Sequence, residues 1–90
     1  MSEDMKTARL ELYETLLKLE TVEDCESFLL DLCTMKELDS MAQRISAAKL
    51  LLNGETYESI IKKTDISSAT LSRVSRCVKY GDGYKKILKP

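Results

Sequence analysis

Residues 56–80 have the sequence TYESIIKKTDISSATLSRVSRCVKY, and this stretch carries the strongest structural signal in the chain. Apolar side chains at helical spacing predict a short helix, a turn at Asp65 and then a second helix. Ile66 is the expected buried anchor of the turn, and Ser67 is a favourable N-cap for the second helix. The buried face of that helix is predicted from the i, i+3, i+7 spacing of Leu71, Val74 and Val78. The stretch therefore predicts a helix-turn-helix.

The outward face of the second predicted helix carries small polar and basic side chains and no acidic side chain. This face consists of Ser68, Ala69, Ser72, Arg73, Arg76 and Lys79. Glutamate would serve equally well on a helix that only had to be soluble, whereas it is unfavourable on a helix that faces DNA phosphates. The absence of acid therefore favours contact with double-stranded DNA.

Short and long side chains are expected to contact DNA in different ways. The residues predicted to bind DNA are Lys62, Lys63, Ser67, Ser68, Ala69, Thr70, Ser72, Arg73 and Arg76. Short side chains permit close or water-mediated contact with base edges, so Ser68, Ala69 and Ser72 are the candidates for base contact. Most protein–DNA hydrogen bonds go to the backbone, however. The candidates for phosphate contact are Thr70, Arg73, Arg76, Lys62 and Lys63.

Charge is divided unevenly along the chain, although the net charge of the whole sequence is only −1. Residues 1–40 hold eleven acidic and four basic side chains, a net charge of −7. Residues 41–90 hold ten basic and four acidic side chains, a net charge of +6. A local basic surface, rather than the charge of the whole chain, governs attraction to a phosphate backbone. The second half therefore suits a nucleic-acid partner.

Composition limits the class of protein. Ninety residues form one small domain, and scarce Gly and Pro with a high charged fraction favour a helical fold. No apolar run is long enough to span a bilayer, and the N-terminus is acidic where a signal peptide would be basic. We therefore expect a cytoplasmic protein with no membrane partner. Three widely spaced cysteines predict reduced thiols rather than a disulfide framework or a metal site.

Helical periodicity continues on both sides of the helix-turn-helix, so the whole chain is predicted to form a single all-α domain of about six helices. The predicted segments of this domain, residues 1–90, are dimerising helices in 1–33, a central helix over 34–54, the helix-turn-helix over 56–80 and a C-terminal helix over 84–90. The first helix is expected to end at Leu19, and Thr21 is expected to cap the second. Thr34 begins the central helix through a capping box, and Gly54 ends it.

The helices before residue 55 show more apolar surface than a small monomer readily buries. Leu50, Leu51 and Leu52 cannot all face one side of a helix. Burial of apolar surface stabilises by about 25 cal/mol per Å², so an exposed apolar stripe favours association. We expect a symmetric homodimer, which would place two reading helices in successive major grooves. The alternative is a self-contained monomer.

Four short sequences resemble the tryptophan-repressor superfamily and, within it, the small YerC/YecD family. They are FLLDLCT at 28–34, AQR at 42–44, LLNG at 51–54 and TLSRV at 70–74. Their order and approximate spacing match the family over nearly the whole chain from Phe28 onward. The resemblance implies a Trp-repressor-like helix-turn-helix fold and an intertwined homodimer. It also implies a bacterial transcriptional regulator that acts as a repressor.

The same resemblance implies candidate effector-binding residues. Arg44 and Arg73 occupy the positions of two arginines that sandwich the indole of tryptophan, and Thr34 opens the long helix near that site. Val74 stands where the family has a glycine beside the indole, and Cys77 replaces a serine that meets the ammonium group. We therefore expect no cofactor and no metal, and an effector other than L-tryptophan or none. The candidate effector-binding residues are Thr34, Arg44, Arg73 and Cys77.

Each of these side chains has a simpler alternative role. Arg73 lies on the outward face and is as suitable for a phosphate as for an effector. Arg44 is able to pair with an acidic side chain of a second subunit. Cys77 is expected to be a packing residue, with oxidant sensing as the alternative.

Two other classes of protein compete with a DNA-binding regulator. An enzyme is not expected, because the sequence has no His, no glycine-rich phosphate loop and no nucleophile beside a base. The stronger rival is a helix-turn-helix dimer that serves as a protein-interaction module without binding DNA. The acid-free outward face distinguishes the two, because a docking module does not need it.

Overall fold

The computed structural model describes residues 2–89, with side chains described for residues 4–89. Its six α-helices are α1 Ser2–Leu16, α2 Val22–Leu32, α3 Met35–Leu52, α4 Tyr57–Thr64, α5 Ser68–Tyr80 and α6 Gly83–Leu88. The described residues form no β-strand. The prediction of an all-α fold with about six helices is therefore confirmed. Pro90, the last residue of the predicted C-terminal segment, lies outside the described residues.

The chain divides into two units, Met1–Thr34 and Met35–Pro90. The first unit contains α1 and α2, and Thr21 caps α2 as predicted, its side chain accepting a hydrogen bond from the backbone N–H of Asp24 at 3.0 Å. None of the side chains described in this unit is buried. Leu17 and Val22 are 84% and 78% exposed, so the apolar surface of this unit remains open.

The predicted end of α1 at Leu19 is wrong by three residues. Beyond Leu16 the backbone forms shorter-range bonds, from Lys18 N–H to the carbonyl of Thr15 at 3.0 Å and from Leu19 N–H to that of Leu16 at 3.2 Å. Such i to i+3 bonds tighten the last turn and occupy carbonyls that a continuing α-helix would need. Apolar periodicity in the sequence continues past the point where the helical hydrogen bonds stop.

The end of α3 agrees with the sequence prediction. Gly54 has a φ of +83°, in the left-handed region where a side chain is unfavourable. The N–H of Gly54 donates to the carbonyl of Leu51 at 3.0 Å, and the N–H of Glu55 donates to that of Leu50 at 3.1 Å. This pair of bonds is the Schellman arrangement, which satisfies carbonyls left open at a helix end. It also fixes the backbone of Glu55 at the entrance to α4.

The core of the second unit forms around α3, which packs against α4, α5 and α6. Ala47 and Ala48 are fully buried, and their small side chains allow neighbouring helices to approach α3 closely. The buried apolar residues of this core are Ala47, Ala48, Ile60, Ile66, Leu71, Val74 and Val78. The predicted buried face of the second helix of the motif is therefore confirmed.

The turn between α4 and α5 follows the predicted pattern. Asp65 adopts the left-handed conformation, with φ of 62° and ψ of 19°, and its N–H donates to the carbonyl of Ile61 at 2.8 Å. Ile66 is almost fully buried behind it. The Ser67 side chain then accepts a hydrogen bond from the N–H of Thr70 at 3.1 Å, which caps α5. Together these contacts form the predicted helix-turn-helix.

Candidate nucleic-acid interface

The outward face of α5 is open and fixed from behind. Ser68, Ala69, Ser72, Arg73 and Arg76 are all exposed, while the apolar residues on the other side of the helix are buried in the core. Burial of several apolar side chains on one face sets the rotation of a helix about its axis. The face that the sequence predicts for DNA contact is therefore the face that the structure leaves accessible.

The first turn of α5 is held by a reciprocal contact between Ser67 and Thr70. The Ser67 hydroxyl donates to the hydroxyl oxygen of Thr70 at 2.9 Å, in addition to accepting from the Thr70 backbone N–H. Thr70 is only half-buried, so its hydroxyl keeps access to a partner on the outside. An N-cap side chain of this kind typically stabilises a helix by about 1 kcal/mol. Both predicted DNA-binding residues therefore also define where α5 begins.

The two adjacent lysines at the end of α4 have different surroundings. Lys62 is exposed, whereas the Lys63 ammonium lies 2.8 Å from Oε1 of Glu55. The same Glu55 oxygen accepts a hydrogen bond from the Ser59 hydroxyl at 2.7 Å. The hydrogen bonds from Lys63 and then from Ser59 lower the pKa of Glu55 below its usual value, since both favour the ionised carboxylate. Lys63, one of the predicted DNA-binding residues, is thus paired with an acidic side chain.

A groove of about 500 Å³ runs along the C-terminal half of α5, and we call it the basic groove. Its lining residues are Ser72, Arg73, Arg76, Cys77, Tyr80 and Gly81. It brings together two candidate effector residues, Arg73 and Cys77. Arg44 is exposed on α3 and does not line the groove, and Thr34 belongs to the first unit. Val74 is buried in the core rather than facing this groove.

A second groove, of about 530 Å³, is formed almost entirely by apolar surface, and we call it the apolar groove. Its lining residues are Ile45, Cys77, Gly81, Gly83, Tyr84, Ile87 and Leu88. Cys77 and Gly81 line both grooves. A β-carbon at Gly81 would lie 2.7 Å from the carbonyl oxygen of Cys77, so only glycine fits here without displacement of the backbone.

Two contributors to the interface were missed from the sequence. Glu55 was not singled out, although its spacing from Ser59 and Lys63, at i+4 and i+8, is a readable signal for side chains on one helical face. Tyr80 was not among the predicted site residues, yet it is the last residue of α5 and lines the basic groove. Only the extent of α5 in the fold reveals the position of Tyr80.

Comparison with known proteins agrees with this architecture. The profile of the family described as Trp repressor protein matches residues 8–90. The chain belongs to the Trp repressor protein family. It is 44% identical over 79 residues to YerC of Bacillus subtilis (strain 168), a protein whose function is uncharacterized, and the match covers 87% of this chain and 76% of YerC. The resemblance to the YerC branch of this family is therefore confirmed.

Solved structures of the Trp repressor family show the same fold. A crystal structure of a candidate Trp repressor from Staphylococcus aureus matches with a TM-score of 0.87 and 41% identity, covering 91% of this chain and 83% of that protein. A TrpR-like protein from Eubacterium eligens ATCC 27750 also matches with a TM-score of 0.87, at 37% identity, covering 92% and 87% of the two chains. The Trp-repressor-like fold is confirmed by these matches.

Metal-binding clusters, disulfides and membrane-spanning helices are absent from the described residues. No group of His, Cys, Asp or Glu there has an arrangement suited to a metal ion. Cys25, Cys33 and Cys77 are all free thiols and half-buried. Among the described helices, none combines the length and the apolar character that crossing a bilayer requires.

Proposed function

We propose that the chain is a sequence-specific regulator of transcription that binds double-stranded DNA through α4 and α5 and acts as a repressor. The observation that carries this proposal is the outward face of α5, which is exposed, basic and free of acid. Membership of the Trp repressor family supports it. A regulatory rather than a catalytic role is part of the proposal, as is a cytoplasmic location.

The mechanism follows from how α5 is presented. Its buried side chains anchor it on the core, and Ser67 fixes its first turn, so the helix meets DNA as a rigid element. Arg73 and Arg76 approach phosphates and set the position of the helix, whereas Ser68 and Ser72 approach base edges. Phosphate contacts supply most of the affinity and base contacts supply the sequence preference.

A homodimer completes the proposal. The first unit has no buried side chain among those described, and many of its large apolar residues are exposed. Apolar surface of this extent favours a protein partner, and a second copy of the chain is the partner that two-fold DNA recognition requires. Two copies of α5 would then read half-sites about 34 Å apart, one helical turn of DNA.

Binding and assembly have separate tests. Fluorescence anisotropy with mixed-sequence duplexes at 50 to 200 mM salt should show affinity that falls steeply as salt rises. Selection from random duplexes should then return a two-fold symmetric site. Sedimentation should give twice the chain mass of 10.2 kDa. Absence of any duplex binding at low salt would overturn the proposal.

The second candidate function is a protein-interaction module that does not bind DNA. The open apolar surface of the first unit is the observation that favours it. This role would leave the outward face of α5 without a DNA ligand, and it predicts no change in anisotropy on mixing with duplex DNA, even at low salt. The same anisotropy experiment therefore decides between the two functions.

A further inference from the structure

Glu55 lies between α3 and α4 and is held in place through both its backbone and its side chain. Its N–H belongs to the closing bonds of α3, and its carboxylate accepts from the Ser59 hydroxyl and the Lys63 ammonium at 2.7 and 2.8 Å. The side chain is only 26% exposed. Mobile surface carboxylates lose entropy when they pair, but this one is already confined by its backbone and by Ser59.

The carboxylate changes what Lys63 offers to DNA. A lysine contributes to DNA affinity by replacing counterions at a phosphate, and each neutralised phosphate adds about 0.9 to the salt slope of binding. With its ammonium at Oε1 of Glu55, Lys63 brings a neutral pair rather than a positive charge to the backbone. Lys62, the preceding residue, is exposed, and no carboxylate of the described residues lies within ion-pair distance of it.

We propose that Glu55 limits DNA affinity by holding Lys63 away from the phosphate backbone. Sequence-independent binding is almost entirely electrostatic, so withholding one cation lowers affinity for every duplex alike. Glu55 therefore lowers the affinity for DNA of any sequence, while the short side chains on the face of α5 set which sequence is preferred. This role rests on the proposed DNA-binding function.

The test replaces Glu55 by glutamine, which removes the charge and keeps an oxygen that accepts from Ser59. E55Q should bind mixed-sequence duplexes more tightly than the wild type, with a salt slope larger by about 0.9. The ratio of the wild-type Kd to the E55Q Kd should grow about 3.5-fold when salt is lowered from 200 to 50 mM, because a slope difference of about 0.9 gives that factor over this change in salt. Circular dichroism confirms that the variant is folded.

Two further variants separate a specific effect from a general one. E58Q removes an equal charge from an exposed position on α4 and should change the slope less than E55Q. In protein that already carries K63Q, adding E55Q should leave the salt slope unchanged, because the effect of Glu55 acts through Lys63. An equal rise in that background would overturn the proposal, and so would weaker binding by E55Q.

The outcomes also separate this inference from the proposed function. Wild-type protein that binds no duplex at 50 mM salt would overturn both. Wild-type protein that binds DNA, combined with an unchanged salt slope in E55Q, would overturn only the role assigned to Glu55.

Discussion

The side-chain amide of Gln43 on α3 donates a hydrogen bond to the backbone carbonyl of Thr64, the last residue of α4, at 3.0 Å. Carbonyls at the end of a helix have no partner within the helix, and this one is part-buried. Gln43 therefore stabilises the end of α4 at the turn, and it connects the helix-turn-helix to α3.

Removal of the Gln43 amide should destabilise the fold. Q43A is expected to lower the free energy of unfolding by about 1 kcal/mol, the usual net value of such a bond. Q43E should cost more, because an ionised carboxylate cannot donate to the Thr64 carbonyl and repels it. Urea denaturation measures both changes. Equal stability of Q43E and the wild type would contradict the assigned contact.

Replacement of Asp65 by glycine should stabilise the protein. Asp65 has a φ of 62°, where a residue with a β-carbon costs about 1–2 kcal/mol and glycine does not. We expect D65G to gain about 0.5–1 kcal/mol after the greater freedom of glycine in the unfolded chain is deducted. D82G is the control, because Asp82 has a negative φ and should gain nothing. Thermal unfolding of the two variants compares them directly.

Arg76 should contribute to DNA affinity without affecting sequence preference. R76A is expected to weaken binding to all duplexes and to lower the salt slope by about one, as a lost phosphate contact does. K86A on α6 is a matched control outside the predicted DNA-binding set. The measurement is anisotropy at four or more salt concentrations. A slope equal to that of the wild type would remove Arg76 from the phosphate contacts.

Ser72 should affect which DNA sequence is preferred, rather than the affinity for all duplexes. A longer, charged donor at this exposed position of α5 is expected to reach base edges that serine does not, so S72R should select a different site. Selection from random duplexes, carried out with the wild type and S72R side by side, gives the readout. Identical selected sites would show that Ser72 does not read bases.

The pairing of Glu55 should also affect the pH dependence of stability. The pKa of Glu55 is lowered in the folded protein by its hydrogen bonds to Lys63 and Ser59. The stability gained by this pairing is therefore fully present above the ordinary glutamate value of 4.5 and is lost as pH falls below it through the folded pKa. Unfolding at pH 7 and at pH 3 should show that the advantage of wild type over E55Q is smaller at the lower pH. A gap of constant size would contradict the pairing.

Several features of this fold follow directly from local sequence signals. Thr21, Gly54 and Ser67 mark helix ends in the sequence and fulfil that role in the structure, because caps depend on one or two neighbouring residues. The buried face of α5 follows from helical spacing in the same way. The end of α1 does not, since leucines continue beyond the last helical residue, Leu16.

The site was harder to predict than the fold, because it depends on contacts between elements. The acid-free face was readable from α5 alone, but the neutral pair of Lys63 with Glu55 joins a helix to the turn before it. The helical spacing of Val74 predicts its burial in the core, and the fold confirms it, but the effect of its bulk on an effector depends on contacts between elements. The identity of an effector, and the expected indifference to L-tryptophan, therefore stay predictions, and calorimetric titration with L-tryptophan tests the second.

The open surface of α1 and α2 has a consequence for how the protein would respond to its own abundance. In the proposed homodimer, a segment with no buried side chain among those described would gain its stability from the second chain, so the DNA-binding dimer would form by mass action. At low levels the amount of this dimer would rise with the square of the chain concentration. Doubling synthesis would then quadruple the DNA-reading species, and dilution would unfold the first unit. Small changes in expression would thus produce sharper changes at the operator.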